Sequence, residues 1–233
     1  RFDREKAAEA IRRYKEAGYF VDGCAMGAFH AIYYYVASFE NILTWMAVEE
    51  DAAMALFRET TRYSLESAKV LLDCGVDSIF VCSDLGSGQN LLFSREMFRK
   101  YVAPWLTELS SLCHERGAWL HLHSHGHIED LMDDFIECGV DMINPIGPSD
   151  HNDLAMFKEK WGDRITFNAG IGTQIAGMTD EEMKEHIESV IKIGRKGGRF
   201  FPRTESGIPP MSREKTLRYI ELLKVACRIG YVR

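Results

Sequence analysis

No run in the 233-residue sequence approaches eighteen consecutive apolar side chains, no Cys-x-x-Cys pair occurs, and no basic cluster stands out. The first absence argues against a membrane-spanning helix, and no signal-peptide pattern precedes the first helical segment. The second leaves six scattered cysteines: Cys24, Cys74, Cys82, Cys113, Cys138 and Cys227. Most sit in apolar or helix-end contexts and read as reduced packing residues of a cytoplasmic protein. The third, with a net charge of −7, disfavours nucleic acid or a polyanionic substrate as partner. What remains is an ordinary globular composition, 46% hydrophobic and 27% charged, long enough for one large α/β domain over residues 1–233. The oligomeric state is not legible, and a homo-oligomer is compatible with this composition.

The chain carries a repeated punctuation. Helical patterns end in glycine and lead directly into short β-like runs, as in "KEAGYFVDG", "LDCGVDSIFVCSD", "HERGAWLHLHS", "IECGVDMINPI", "KWGDRITFNAGI" and "GGRFFPRTES". Glycine just past a helix supplies the left-handed residue that ends it, and the β-rich run is the next strand. Between the strands, amphipathic patterns predict helices at 49–73, 94–116, 128–138, 151–161, 179–196 and 212–228. Thr179 with Glu182 forms a capping-box pattern, and Ser212 reads as a plain N-cap. The aromatic stretch "FHAIYYYVASFENILTW" has helical spacing and is expected to be a buried helix with one substrate-facing edge.

Strand and helix alternate six times, which predicts a parallel sheet with right-handed crossovers. An open doubly wound sheet and a closed (β/α)8 barrel both fit that alternation. The loop "DLGSGQN" lacks GxGxxG and starts no helix. By contrast, Asp84, His123, His125, Asn144, Asn168 and Glu205 all fall at or just past strand C-terminal ends. Polar groups converging from successive strands are what a barrel mouth requires, whereas a Rossmann sheet concentrates its signal in one glycine-rich turn. The barrel is therefore the expected fold.

Four of the eight histidines lie in "HLHSHGH", His121 to His127. Along the expected strand Ala118–His123, Trp119, His121 and His123 share the face opposite Ala118, Leu120 and Leu122. His125 lies past the strand, where the chain turns at Gly126, and His127 precedes the next helix. His123 and His125 can present nitrogens to one ion, with Glu205 the best-placed third ligand and Asp84 the other carboxylate. Equally, some of these side chains can serve only as hydrogen-bonded core or loop caps.

The series "FENILTWMAVEEDAAMALF", "CGVDSIFVCSDLGSGQNLLFSREMFRKYVAPW", "HLHSHGHIEDLMDDFIECGVDMINPI", "NDLAMFKEKWGDRITFNAGI" and "GGRFFPRTESGIPPMSREKTLRYIELL" resembles the uroporphyrinogen decarboxylase superfamily over nearly the whole length. The resemblance implies a (β/α)8 TIM barrel. Only six units are legible and the sequence starts Arg1-Phe-Asp-Arg, so the N-terminal β/α units are expected to be lacking and the chain to be the C-terminal portion of a longer one. One branch of the superfamily decarboxylates uroporphyrinogen without a cofactor, using an arginine-rich N-terminal segment that is absent here. The other comprises zinc-dependent methyltransferases that move methyl groups between small substrates, corrinoid proteins and thiols. These carry His-x-Cys where this sequence reads His123-Ser124-His125, and a further cysteine at the position of Ser206.

The methyltransferase branch is the expectation. It implies Zn²⁺ held by His123, His125 and Glu205, with His121 and Asp84 catalytic or handling protons, and Asn144 and Asn168 positioning substrate. Its implied partners are a small-molecule methyl donor or acceptor and a corrinoid protein. The alternatives are uroporphyrinogen decarboxylation and a non-catalytic module that binds a corrinoid protein or a sister subunit.

Overall fold

The computed structural model describes residues 2–231, with side chains described as far as residue 228. Six parallel strands form one sheet in chain order: β1 (Asp22–Met26), β2 (Ser78–Cys82), β3 (Trp119–His123), β4 (Met142–Asn144), β5 (Thr166–Ile171) and β6 (Phe200–Thr204). Helices fill the connections. Strictly sequential parallel order is TIM-barrel-like, because a doubly wound sheet reverses its strand order at a switch point. Gly75, Gly117 and Gly139, at φ +88°, +68° and +85°, end the helices before β2, β3 and β4.

Strand parity sorts the side chains. Ala25, Ile79, Val81, Leu120, Leu122, Ile143, Phe167 and Ala169 point outward and are buried beneath the helices, forming the main core. Asp22, Phe80, Cys82, His121, His123, Asn144, Asn168 and Arg203 occupy the opposite, inward face. That face curls on itself: the Phe20 ring meets Trp119 of β3 at 5.7 Å and Phe201 of β6 at 6.5 Å. These three aromatics are still 44%, 48% and 50% exposed, because β1 and β6 are the sheet's edges and no strand bridges them among the described residues.

Several elements depart from the sequence expectation. The first strand begins at Asp22, not directly after Gly18. The aromatic stretch is not one buried helix. It divides into Ala28–Ala31, a π turn at Ile32–Val36, and a new helix at Phe39–Val48 capped by Ser38. Tyr34 and Tyr35 are 64% and 72% exposed, since the wide turn rotates them off the packed face. The segment 94–116 is helical but passes through a π turn at Phe98–Val102. Pro104 lacks the N–H that would bond one turn back, so the ladder loosens there. The segment 128–138 opens with a 3₁₀ turn at Glu129–Leu131 before the α-helix Met132–Glu137. The capping box of Thr179 and Glu182 is present, and Ser212 Oγ accepts from the Lys215 N–H. Among the described residues no helix is long and apolar enough to cross a membrane.

Candidate active site

The C-terminal ends of β2 and β3 place three metal-competent atoms together. The Cys82 thiol, an Asp84 carboxylate oxygen and a His123 ring nitrogen all lie within 4.8 Å of one another. The cause is register: Cys82 and His123 are paired residues on adjacent parallel strands, and both point inward. Asp84 follows two residues after Cys82, and its Oδ1 accepts the His125 N–H at 2.9 Å, which holds the carboxylate beside the β3 exit.

The orientation of His123 is determined by a hydrogen-bond chain. Asn144 Nδ2 donates to the Asn168 carbonyl at 2.8 Å, so its Oδ1 faces the His123 Nδ1 at 2.7 Å. An amide oxygen can only accept, so the proton sits on Nδ1 and the Nε2 lone pair is left toward Asp84, 3.7 Å away. Burial pushes the His123 pKa down, against the Asn144 bond, and favours the neutral, ligating form. Burial, reinforced by the Asp84 charge, pushes the Cys82 thiol up to about 12. Without a cation this cysteine is therefore a thiol, and binding of one would release its proton. One sulfur, one imidazole and one carboxylate form a donor set suited to zinc.

The loops beyond the strands interlock over this cluster. Gly126, at φ +91°, lies so close to Gly86 that a Cβ on it would sit 2.0 Å from the Gly86 carbonyl carbon. Gly86 N–H donates to the His125 carbonyl at 3.1 Å, and Leu85 N–H donates to Ser124 Oγ at 3.0 Å. His125 turns its Nδ1 to Asp150 at 2.9 Å, and that bond raises its pKa above the ordinary value. Asp150 is opposed by burial but ends lower than usual because of the same bond.

Deeper in the barrel, His121 is buried with its Nδ1 3.2 Å from Asp22 Oδ1. Ser78 Oγ also donates to that oxygen. Burial alone would raise the Asp22 pKa, but these bonds bring it below normal.

Of the three ligands expected from sequence, only His123 belongs to the cluster. His125 lies beside it, ring centroids 4.9 Å apart, with its Nδ1 engaged by Asp150, a bond that leaves Nε2 open. Glu205 is 2% exposed and accepts the Ser149 N–H on Oε1 at 3.1 Å, while its Oε2 has no partner. Gly147 leaves room for it: a Cβ there would lie 2.2 Å from Oε1. Asp84, expected to be catalytic, stands among the metal-competent atoms. Asn144 orients His123, and Asn168 lines an interior cavity with His121. Ser206 is exposed, and its carbonyl accepts from Thr204 Oγ1 at 2.6 Å. His127 precedes the 3₁₀ turn, its backbone N–H held by the Ser87 carbonyl at 2.7 Å. Sequence reasoning missed Cys82, Asp22 and Asp150. For Cys82 a signal existed: Cys-x-Asp at the end of β2 has the same two-residue stride as His-x-His on β3.

The chain matches the family described as Uroporphyrinogen decarboxylase (URO-D) over residues 5–221. Among solved structures it is similar to a methyltransferase from Methanosarcina mazei, at TM-score 0.77 and 18% identity, over 97% of this chain and 64% of that one. It is also similar to a B12-independent methionine synthase from Shewanella sp. W3-18-1, at TM-score 0.58 and 15% identity, over 96% of this chain and 65% of that one. A 3-keto-D-glucoside 4-epimerase from E. coli aligns at TM-score 0.52 and 13% identity, over 96% and 95%. At these identities the likeness is one of fold. The chain thus spans just under two thirds of the first two proteins. No curated protein sequence matches it.

Proposed function

The chain belongs to the uroporphyrinogen decarboxylase family, and from that premise we propose that it is a zinc-dependent methyltransferase-type enzyme. In this reading it moves a methyl group between a small molecule and a corrinoid protein or thiol. The observation that carries the reading is the convergence of Cys82, Asp84 and His123 within 4.8 Å at the strand ends, where a barrel places its chemistry. The shared fold with the Methanosarcina mazei methyltransferase supports it.

Cys82, Asp84 and His123 would hold zinc, in place of the set His123, His125 and Glu205 expected from sequence. Zinc bound there would supply a Lewis acid that lowers the pKa of a thiol or polarises a methyl donor. Asn144 keeps the His123 proton on Nδ1, away from the cluster. His125, paired with Asp150, holds a proton beside the reacting groups and packs its ring nearly perpendicular to that of His123. The interlocked loops at Gly86 and Gly126 set the position of Asp84.

Metal analysis of the purified protein, combined with an assay of methylcobalamin formation from cob(I)alamin and methylated small molecules, tests the reading. Stoichiometric zinc is expected, with loss of both zinc and methyl transfer in His123→Ala. No zinc in the wild type, or methyl transfer unaffected in His123→Ala, overturns it. Metal-independent consumption of uroporphyrinogen would replace it with decarboxylation.

A further inference from the structure

Next to the metal-competent cluster, an open cavity of about 220 Å³ lies at the seam between the edge strands β1 and β6, with Phe20, Asp22, Phe201 and Arg203 of its lining exposed. Its walls are apolar and partly aromatic, formed by Phe20, Met142, Phe201 and Pro202. Three polar groups on the same lining lack partners. Arg203 from β6, itself exposed, lies over the Phe80 ring, 6.0 Å from its centroid, and its charge helps hold Asp22 ionised, but it forms no hydrogen bond or ion pair among the described residues. His121, 1% exposed, leaves its Nε2 unpaired, and so does Asn168 its Oδ1. Unpaired polar atoms inside a protein are costly, so a pocket that retains two of them beside a guanidinium with no hydrogen-bond partner is suited to a ligand.

The chemistry of that ligand follows from the three groups. A guanidinium takes a carboxylate in a two-pronged bond. Asp22 is the competing anion in the lining, but its Oδ1 already accepts from Ser78 and His121. With Nδ1–H of His121 directed at Asp22, Nε2 is an acceptor, as is the amide oxygen of Asn168. Both would receive a hydroxyl hydrogen. Aromatic walls favour a flat apolar body, and the volume limits it to about one substituted ring.

We propose that this cavity binds a small aromatic carboxylic acid bearing a ring hydroxyl, its carboxylate on Arg203 and its hydroxyl on His121 or Asn168. Phe80 contacts both His121 and His123, with ring centroids 4.9 and 5.8 Å apart, so such an acid would lie next to the metal-competent cluster. That the acid is also the methyl-transfer substrate or product rests on the function proposed above. Binding itself does not.

Calorimetric titration of the whole chain with 3-hydroxybenzoate, 3-hydroxybenzamide and benzoate tests the assignment, with no methyl donor present. The acid should bind about tenfold or more tightly than the uncharged amide, and several-fold more tightly than benzoate. In Arg203→Met the preference for acid over amide should vanish, while Arg203→Lys keeps part of it. No binding of 3-hydroxybenzoate, equal binding of acid and amide, or an unchanged preference in Arg203→Met overturns the proposal. The wild-type comparison decides the matter even if a variant fails to fold. Failure here with methyl transfer intact would leave the function proposed above standing.

Discussion

Cys82 and His123 are register partners on neighbouring parallel strands, so the thiol and the imidazole project side by side into the barrel mouth. Removing either should abolish stoichiometric zinc. Glu205, fixed by the Ser149 N–H away from the trio, should be dispensable for metal. Cys82→Ala and His123→Ala are therefore expected to purify without zinc, and Glu205→Gln with it, as read by elemental mass spectrometry. Asn144→Ala, which frees the His123 ring to rotate, should weaken zinc by about 10–100-fold. Zinc retained in Cys82→Ala and lost in Glu205→Gln would restore the ligand set expected from sequence.

How much of this was legible follows from which interactions are local in the chain. Glycine-ended helices and the β-rich runs after them located six strands alternating with helices, and parity put His121 and His123 on the inward face. The capping box at Thr179 needed only residues three apart. The pairing of Cys82 with His123 was not legible, because the register of two strands separated by a long helical crossover leaves no trace in either strand alone. What was legible for Cys82 was only its own Cys-x-Asp stride at the end of β2, not its partner. Likewise the pairing of His125 with Asp150 was not legible, because Asp150 sits on a distant loop. The π turn at Ile32–Val36 escaped because helical spacing in "IYYYV" does not distinguish three-point-six residues per turn from a wider winding.

Asp134 offers a test of how a buried ion pair is balanced. It is 3% exposed and takes the Arg95 and Arg99 Nε atoms on its two oxygens, while both arginines are about half exposed. Asp134→Leu leaves two cations that water can solvate, so a loss of about 1 kcal/mol is expected. Arg95→Met with Arg99→Met keeps the aliphatic cover but strands a buried carboxylate, and should cost about 3–5 kcal/mol. Urea denaturation of the two variants would show the asymmetry. Equal losses would mean that Asp134 is hydrated when its partners are removed.

His186 couples the end of β5 to pH. The Gly172 N–H donates to its Nε2 at 3.1 Å, which requires the neutral ring. Burial pushes its pKa below the ordinary 6.5, with the Glu205 charge pulling the other way. Between the folded and unfolded values the unfolded chain holds more protons, so this contribution is present above about pH 6.5 and is lost as pH falls through the folded value. His186→Gln can keep an acceptor for Gly172 without titrating. Wild-type stability relative to this variant should therefore decline on going from pH 7.5 to 5.5, by no more than the hydrogen bond's worth of about 1.5 kcal/mol. Parallel pH profiles in urea would show that His186 does not contribute.

Gly126 packs backbone to backbone against Gly86 in the loop layer, and its substitution should be felt both in stability and at the metal. At φ +91° any side chain is strained, and a Cβ would fall 2.0 Å from the Gly86 backbone rather than against a movable side chain. Relief requires the two loops to separate, and they carry His125 and Asp84. Gly126→Ala is expected to cost about 2–4 kcal/mol, combining left-handed strain with overpacking. Because the His125 N–H is what holds Asp84 Oδ1, zinc affinity should fall in the same variant. Gly88 is the control: it sits in the same loop as Gly86, with nothing within 4 Å of an added Cβ. Gly88→Ala should remain within about 0.5 kcal/mol of wild type with zinc unchanged. Thermal melts and zinc titration of the pair would separate a general loop effect from the Gly86–Gly126 contact. If both variants lose zinc equally, the contact does not set the position of Asp84.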